Sequence, residues 1–258
     1  MTNFKTRLRE GQTVIGPFMK FSYPGLVEIF GNAGFDFVII DTEHGPQGAE
    51  TVETLVRAAE LVGITPVVRV RRNEPSLISQ ALDLGAEGLL VPQVTSEQDA
   101  LDVVKAAKFE PEGGRGVCCY VRAAAYSHEN KFDYFKRANA NNVTIIMIEG
   151  RQGIDNLDQI IKVPGVDVIF IGPYDLSQSL GLPGQVDHPL VIEKMREVAE
   201  KAQKAGLAVG TFVDNLEAAA RWSRLGVQFI AYSVDTGIIY QAARDIVARL
   251  KENIGSAR

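Results

Sequence analysis

The chain has little sulfur, few imidazoles and no excess of positive charge, and each shortage removes a class of function. Its 258 residues include two cysteines, Cys118 and Cys119, which are adjacent. Adjacent cysteines rarely bridge, because the closed ring strains the peptide between them, so free thiols in a reducing cytoplasm are expected. Histidine occurs only as His44, His128 and His188, which gives poor support to a zinc cluster of nitrogen and sulfur ligands. The 27 Lys and Arg are scattered and outnumbered by 32 Asp and Glu, leaving no basic stripe for nucleic acid. No stretch reaches the roughly 18 apolar residues of a membrane span, and the N-terminus carries no apolar run of the signal-peptide kind. No Gly-x-Gly-x-x-Gly follows the first strand pattern, which disfavours an open dinucleotide-binding sheet. The expectation is a cytoplasmic protein acting on small molecules.

What is present is a repeat. Short β-branched runs alternate with longer segments whose apolar residues recur at helical spacing, and glycine punctuates the joins. Eight strand patterns are counted, at 14–16, 37–40, 66–70, 88–91, 143–148, 166–171, 207–212 and 229–232. Helical patterns at 49–61, 75–84, 97–107, 156–161, 189–204, 216–225 and 238–250 lie between and after them. Gly63, Gly85, Gly206 and Gly226 stand where helices end and a left-handed residue is wanted. Near-continuous apolar strands joined by helices pair in parallel with both faces covered. Eight such units in 258 residues predict a single-domain (β/α)8 TIM barrel spanning 1–258. One segment, 109–142, breaks the rhythm. Its aromatic and arginine content predicts an ordered lid or subunit contact.

In a parallel barrel the residues just after each strand gather on one rim, where this fold builds active sites. Here they are Asp41, Glu43 and His44, then Gln93, Glu149, Asp175, Asp214, Ser233 and Asp235, with Arg69 on the third strand. Glu149 and Asp175 each close an apolar run, where a carboxylate is costly unless a cation or hydrogen-bond donors meet it. They read as metal ligands or as structural ion pairs. His44 reads as a catalytic base or a surface residue, and Asp41 as the carboxylate that accepts its ring proton. Arg69 reads as a core salt bridge or as a contact for an anion or enolate. Two carboxylates plus water and substrate oxygens suit Mg²⁺ or Mn²⁺, with Co²⁺ a further candidate. Gly172, Pro173, Tyr174 and Asp175 begin a short helix pattern whose free N–H groups could hold a substrate carboxylate.

At these residues the chain resembles the HpcH/HpaI aldolase family, the metal-dependent pyruvate aldolases. The resemblance is nearly full length. It runs through Asp41-Thr-Glu-His-Gly45, Val68-Arg-Val70, Val91-Pro-Gln93, Gly114-Arg-Gly116, Met147-Ile-Glu149, Phe170-Ile-Gly-Pro-Tyr-Asp-Leu-Ser177 and Asp235-Thr-Gly237. It implies that a 4-hydroxy-2-oxo acid is cleaved reversibly to pyruvate and an aldehyde, with Glu149 and Asp175 as metal ligands. Arg69 would stabilise the pyruvate enolate, His44 oriented by Asp41 would move the proton of the aldol hydroxyl, and Gly172 to Asp175 would bind the pyruvate carboxylate. It also implies a hexamer whose C-terminal helix packs on a neighbouring subunit. Two positions depart from the pattern. Met147 stands where many members have glutamine and cannot donate a hydrogen bond, and Gly150 replaces a threonine or serine. The alternatives are a lyase or decarboxylase acting on another 2-oxo diacid, or a non-catalytic oligomer that retains the metal and 2-oxo acid site.

Overall fold

The computed structural model describes residues 3–255. Eight parallel strands close into a barrel in sequence order: β1 (Val14–Met19), β2 (Phe37–Asp41), β3 (Thr65–Arg69), β4 (Gly88–Val91), β5 (Val143–Ile148), β6 (Val168–Ile171), β7 (Ala208–Val213) and β8 (Phe229–Val234). The closing pair is β1 with β8. The single-domain TIM barrel expected from the repeat is therefore the observed architecture. At the ends of the helices, Gly63, Gly85, Gly206 and Gly226 all take positive φ, between 73 and 101°.

Alternation along each strand divides the buried apolar residues between two cores. Val38, Ile40, Val68, Ile146 and Ile169 point outward and pack under the surrounding helices. Phe18, Phe37, Ile39, Val67, Leu90, Ile145, Met147, Phe170 and Phe229 fill the barrel interior. Phe37 and Phe229 stack at 4.2 Å, and Phe170 meets Phe229 edge-on at 5.8 Å. Gly210 makes room for this cluster, since a Cβ there would lie 2.8 Å from the Phe170 ring and 3.0 Å from the Phe229 ring. The N-terminal helix Phe4–Arg9 seals the lower end with Phe4, whose ring stands edge-on to both Phe37 and Phe229. The interior is therefore filled from below, and the barrel opens at the rim formed by the strand C-termini.

The segment 109–142 is ordered but is not a lid on this chain's own rim. It follows a helix (Glu97–Ala107) rather than a strand, so it leaves the barrel on the opposite face. The Lys108 ammonium donates to the carbonyls of Asn139 and Asn142, and the Asn139 side chain bonds both the N–H and the C=O of Phe109. Arg122 reaches Glu60 and the Leu84 carbonyl, and the Tyr126 hydroxyl donates to Glu53 while accepting from Arg57. These contacts lay residues 122–126 against the helices Ala49–Val62 and Pro75–Asp83.

The C-terminal helix Asp235–Gly255 leaves the barrel surface. From Ile239 to Ile254 every residue is exposed, including Tyr240, Ile246, Val247 and Leu250. On the outer face of β1, Ile15 is also left 44% exposed. Among the described residues no helix is long and apolar enough to cross a membrane.

Filling the space at Gly210 should overpack the interior. Gly210→Val is expected to cost about 1–3 kcal/mol, seen as a lower urea midpoint with an unchanged m-value. An unchanged midpoint would mean that the aromatic cluster is looser than described.

Candidate active site

The site grows out of strand parity. Interior residues alternate along β1 as Val14, Gly16 and Phe18, and the next inward position is Lys20. The same count gives Asp41 after Phe37 and Ile39, Arg69 after Val67, Glu149 after Val143, Ile145 and Met147, and Gly172 after Val168 and Phe170. The layer above the last apolar layer is thus polar all round much of the rim. Its cavity has a volume of about 430 Å³ and is walled by Phe18, Lys20, His44, Arg69, Met147, Phe170, Gly172, Pro173, Tyr174, Asp175, Phe212 and Val234.

Asp41 and Arg69 are register partners at the ends of β2 and β3. Their side chains meet as a two-pronged pair, Arg69 Nε donating to Asp41 Oδ1 at 2.8 Å and Nη2 to Oδ2 at 2.7 Å. Asp41 is completely buried and also accepts from the Lys20 ammonium and from the backbone N–H groups of Glu43 and His44. Burial alone would raise its carboxyl, but hydrogen bonds and charge from Arg69 and Lys20 outweigh that and bring it down to about 2. The third edge of the guanidinium faces Glu43, with Nη1 to Oε2 at 3.2 Å, and its plane lies over the Phe18 ring at 4.8 Å. The salt bridge and the substrate contact weighed for Arg69 are compatible, because the pair fixes a guanidinium in the cavity wall.

This arrangement corrects one expectation. Asp41 does not accept the His44 ring proton; every contact it makes to His44 is through the backbone N–H, at 3.3 Å. The imidazole is 64% exposed, with Nε2 4.0 Å from Glu43 Oε2. Arg69 and Lys20 hold the carboxylate more strongly than a neutral imidazole could.

Glu149 is 9% exposed, and its Oε1 accepts the Gln93 N–H at 2.7 Å. Gln93 reaches that position with a left-handed backbone, φ 56°, which is uncommon for a residue with a side chain. Burial pushes the Glu149 carboxyl up to about 7, and the charges of Asp175 and Glu43 add to the rise. The other oxygen, Oε2, sits beside Gly172, where a Cβ would come within 2.7 Å of it. Asp175 is exposed at the start of the helix Pro173–Ser179. The first hydrogen bond of that helix runs from Leu176 N to Gly172 O, so the N–H groups of Tyr174 and Asp175 have no partner inside it. The Tyr174 hydroxyl donates to Asp214 Oδ2 at 2.7 Å. Burial and the Asp214 charge push it up to about 12. Among the described residues no three His, Cys, Asp or Glu side chains are grouped to hold a metal.

A family model, HpcH/HpaI aldolase/citrate lyase, matches residues 15–242. The chain belongs to the HpcH/HpaI aldolase/citrate lyase family. It is 38% identical over 248 residues to a 4-hydroxy-2-oxo-heptane-1,7-dioate aldolase of Shigella sonnei, covering 96% of this chain and 94% of the relative. A solved family member from Burkholderia cenocepacia superposes with TM-score 0.92 at 35% identity, covering 97% of this chain and all of that one. The citrate synthase SbnG superposes with TM-score 0.88 at 33% identity, covering 97% and 98%. As a member of this family the chain is a carbon–carbon lyase.

Three rim residues have more to do than their sequence context suggested. Gln93 reads as an ordinary loop polar residue until its left-handed backbone is seen to aim an N–H at Glu149. Glu43 was placed on the rim without a role, and it lies between Arg69 and His44. Lys20 was missed because β1 was ended at Gly16, three residues before its observed end at Met19. Pro17 looks like a terminator, since it cannot donate to a ladder, yet the strand runs through it.

Removing the Asp41 charge would leave Arg69 and Lys20 crowded together, with Glu43 beside Arg69 as the remaining close counter-ion. Asp41→Asn is expected to cost about 3–5 kcal/mol of stability at neutral pH. Because the folded carboxyl lies below its ordinary 3.8, its contribution is present above that value and is lost as pH falls through about 2. Chemical denaturation across pH 2–7 checks both points. The variant should lack the part of the acid limb that Asp41 causes, and an unaltered limb would mean the pair is not coupled to folding.

Proposed function

We propose that this lyase cleaves a 4-hydroxy-2-oxo acid reversibly to pyruvate and an aldehyde, assisted by a divalent cation held by Glu149 and Asp175. The observation that carries the reading is a guanidinium locked in the wall of the same rim cavity that Asp175 and Gly172 line, with Oε2 of the buried Glu149 directly against Gly172. The name of the Shigella sonnei relative, a 4-hydroxy-2-oxo-heptane-1,7-dioate aldolase, supports the substrate class.

The residues fit such a cation. Glu149 is buried with its charged form disfavoured, and it repels Asp175, so both carboxylates gain from a shared positive ion. Gly172 puts no side chain of its own against Oε2 of Glu149, where a Cβ would come within 2.7 Å. An all-oxygen donor set suits Mg²⁺ or Mn²⁺, and admits Co²⁺. When bound, the cation would supply Lewis acidity to the keto group.

The chain's own groups do the rest. Arg69 stabilises negative charge developing on the keto oxygen, and Asp41 holds it in place so that no reorganisation is needed as the charge forms. The amide N–H groups of Tyr174 and Asp175, with the turn through Gly172 and Pro173, bind the pyruvate carboxylate. His44 Nε2 accepts the C4 hydroxyl proton, and Glu43 beside it shares the resulting charge. Breaking the C3–C4 bond sends its electron pair toward the keto oxygen, and reprotonation of the methylene carbon completes pyruvate. Met147, in the cavity wall where the family resemblance leads one to expect glutamine, offers packing and no donor. A Cβ at Gly150 would meet nothing within 4 Å, so a hydroxyl missing there is missing from open space.

A second reading is a lyase or decarboxylase acting on another 2-oxo diacid. Similarity to the citrate synthase SbnG and the apolar Met147 favour it. Product analysis with oxaloacetate against 4-hydroxy-2-oxo acids separates the two. We also infer a homo-oligomer, with the exposed apolar residues Ile239, Tyr240, Ile246, Val247, Leu250 and Ile254 of the C-terminal helix covered by a neighbouring copy.

Pyruvate methyl protons should exchange with solvent deuterium in the presence of Mg²⁺ or Mn²⁺. Exchange should fall by about a hundredfold or more in Glu149→Ala and in Asp175→Ala; undiminished exchange in both would remove the cation from the reading. Proton and cation compete for Glu149, whose carboxyl stands at about 7 without the ion. Mn²⁺ affinity should therefore rise about tenfold per pH unit below 7 and level off above it. Calorimetric titrations at several pH values measure this, and a flat profile would contradict it.

A further inference from the structure

We propose that Lys20 determines acceptor specificity: its ammonium group binds a carboxylate carried by the aldehyde partner. The proposal rests on the aldolase reading above and adds to it a residue at the end of β1, across the barrel from β5, whose ammonium shares Asp41 Oδ2 with Arg69.

In a closed ring of eight strands, β1 lies opposite β5. A 2-oxo acid anchored by Glu149, Gly172 and Asp175, at the ends of β5 and β6, extends its reacting carbon across the cavity. The far end of the second reactant then meets the wall formed by β7, β8 and β1. That wall is Phe212, Val234, Phe18 and Lys20, apolar except for the lysine.

The lysine is fixed in place by its backbone. Its N–H donates to Asp235 Oδ2 at 2.9 Å, and its carbonyl accepts from Gln47 Nε2 at 2.9 Å. Asp235 and Gln47 are both buried, and Asp235 also takes the Phe21 N–H at 2.8 Å. Strand parity points the side chain inward, and a quarter of it remains exposed to the cavity.

Neutralising Asp41 does not by itself account for this lysine. Arg69 already meets both Asp41 oxygens with two charged hydrogen bonds. An ammonium has three N–H donors, and Asp41 takes one of Lys20's. A reactant ending in an alkyl group would press the other two against apolar surface without partners, which is costly. A carboxylate at that end would accept them.

The test compares two aldehydes of equal chain length, succinic semialdehyde and butanal, each condensed with pyruvate and Mn²⁺ by the native-sequence protein, Lys20→Met and Lys20→Arg. The native protein should favour the acid-bearing aldehyde in kcat/KM. Lys20→Met should lower that preference about tenfold or more, the scale of one charged hydrogen bond, mainly through KM for succinic semialdehyde. Lys20→Arg should restore most of it. An equal preference in the native protein and Lys20→Met, or a loss that falls alike on both aldehydes, would overturn the proposal. Failure of the aldolase reading looks different: the native-sequence protein would then exchange no pyruvate methyl protons at all.

Discussion

The two-pronged pair between Asp41 and Arg69 is the constraint from which the rest of the site follows. Two adjacent strands end in register with opposite charges facing inward, so the barrel carries a guanidinium at the top of its core without an uncompensated charge. Everything nearby is arranged around the pair. Lys20 and the N–H groups of Glu43 and His44 complete the shell of Asp41, the Phe18 ring lies against the Arg69 guanidinium, and Glu43 Oε2 stands 3.2 Å from its Nη1, which leaves further N–H donors unused. Because the pair is rigid, what faces the cavity is a donor already oriented, which is what electrostatic stabilisation of a developing charge requires.

The charge balance of the rim supports a bound cation. Around the guanidinium, the four carboxylates Asp41, Glu43, Glu149 and Asp175 exceed Arg69 and Lys20 by two on formal charge. One divalent cation removes that excess. Without it the shortfall is met by protons, and Glu149, a buried carboxylate with no salt-bridge partner among the described residues, is held at about 7. The same residue is thus a poor acid in isolation and a good ligand when a cation is present.

Much of this was legible in the sequence because both periodicities were clear. Eight apolar runs with helical segments between them, and glycines at the helix ends, specify a parallel barrel, and strand ends specify the rim. Asp41, Arg69, Glu149, Gly172 and Asp175 were placed on the rim this way, which is where they lie. What was not legible depended on backbone detail. Pro17 concealed the last three residues of β1, and with them the inward position of Lys20. The left-handed turn at Gln93 has no glycine to announce it. The partner of Asp41 was misread because His44 is near in sequence, whereas register brings Arg69 nearer in space. Residues 109–142 were read from their composition as an ordered lid or a subunit contact, and their position after a helix, which assigns them to the opposite face, removes only the lid.

The central claim is that a fixed Arg69 and a Glu149–Asp175 cation site address one ligand across the rim cavity. A crystal structure with Mn²⁺ and oxalate, which offers two adjacent oxygens as a 2-oxo acid does, tests it most directly. The account predicts Mn²⁺ ligated by Glu149 and Asp175, oxalate chelating it, and Arg69 still paired with Asp41 while donating to an oxalate oxygen. Mn²⁺ bound elsewhere, or Arg69 swung away from Asp41 to reach the ligand, would contradict it.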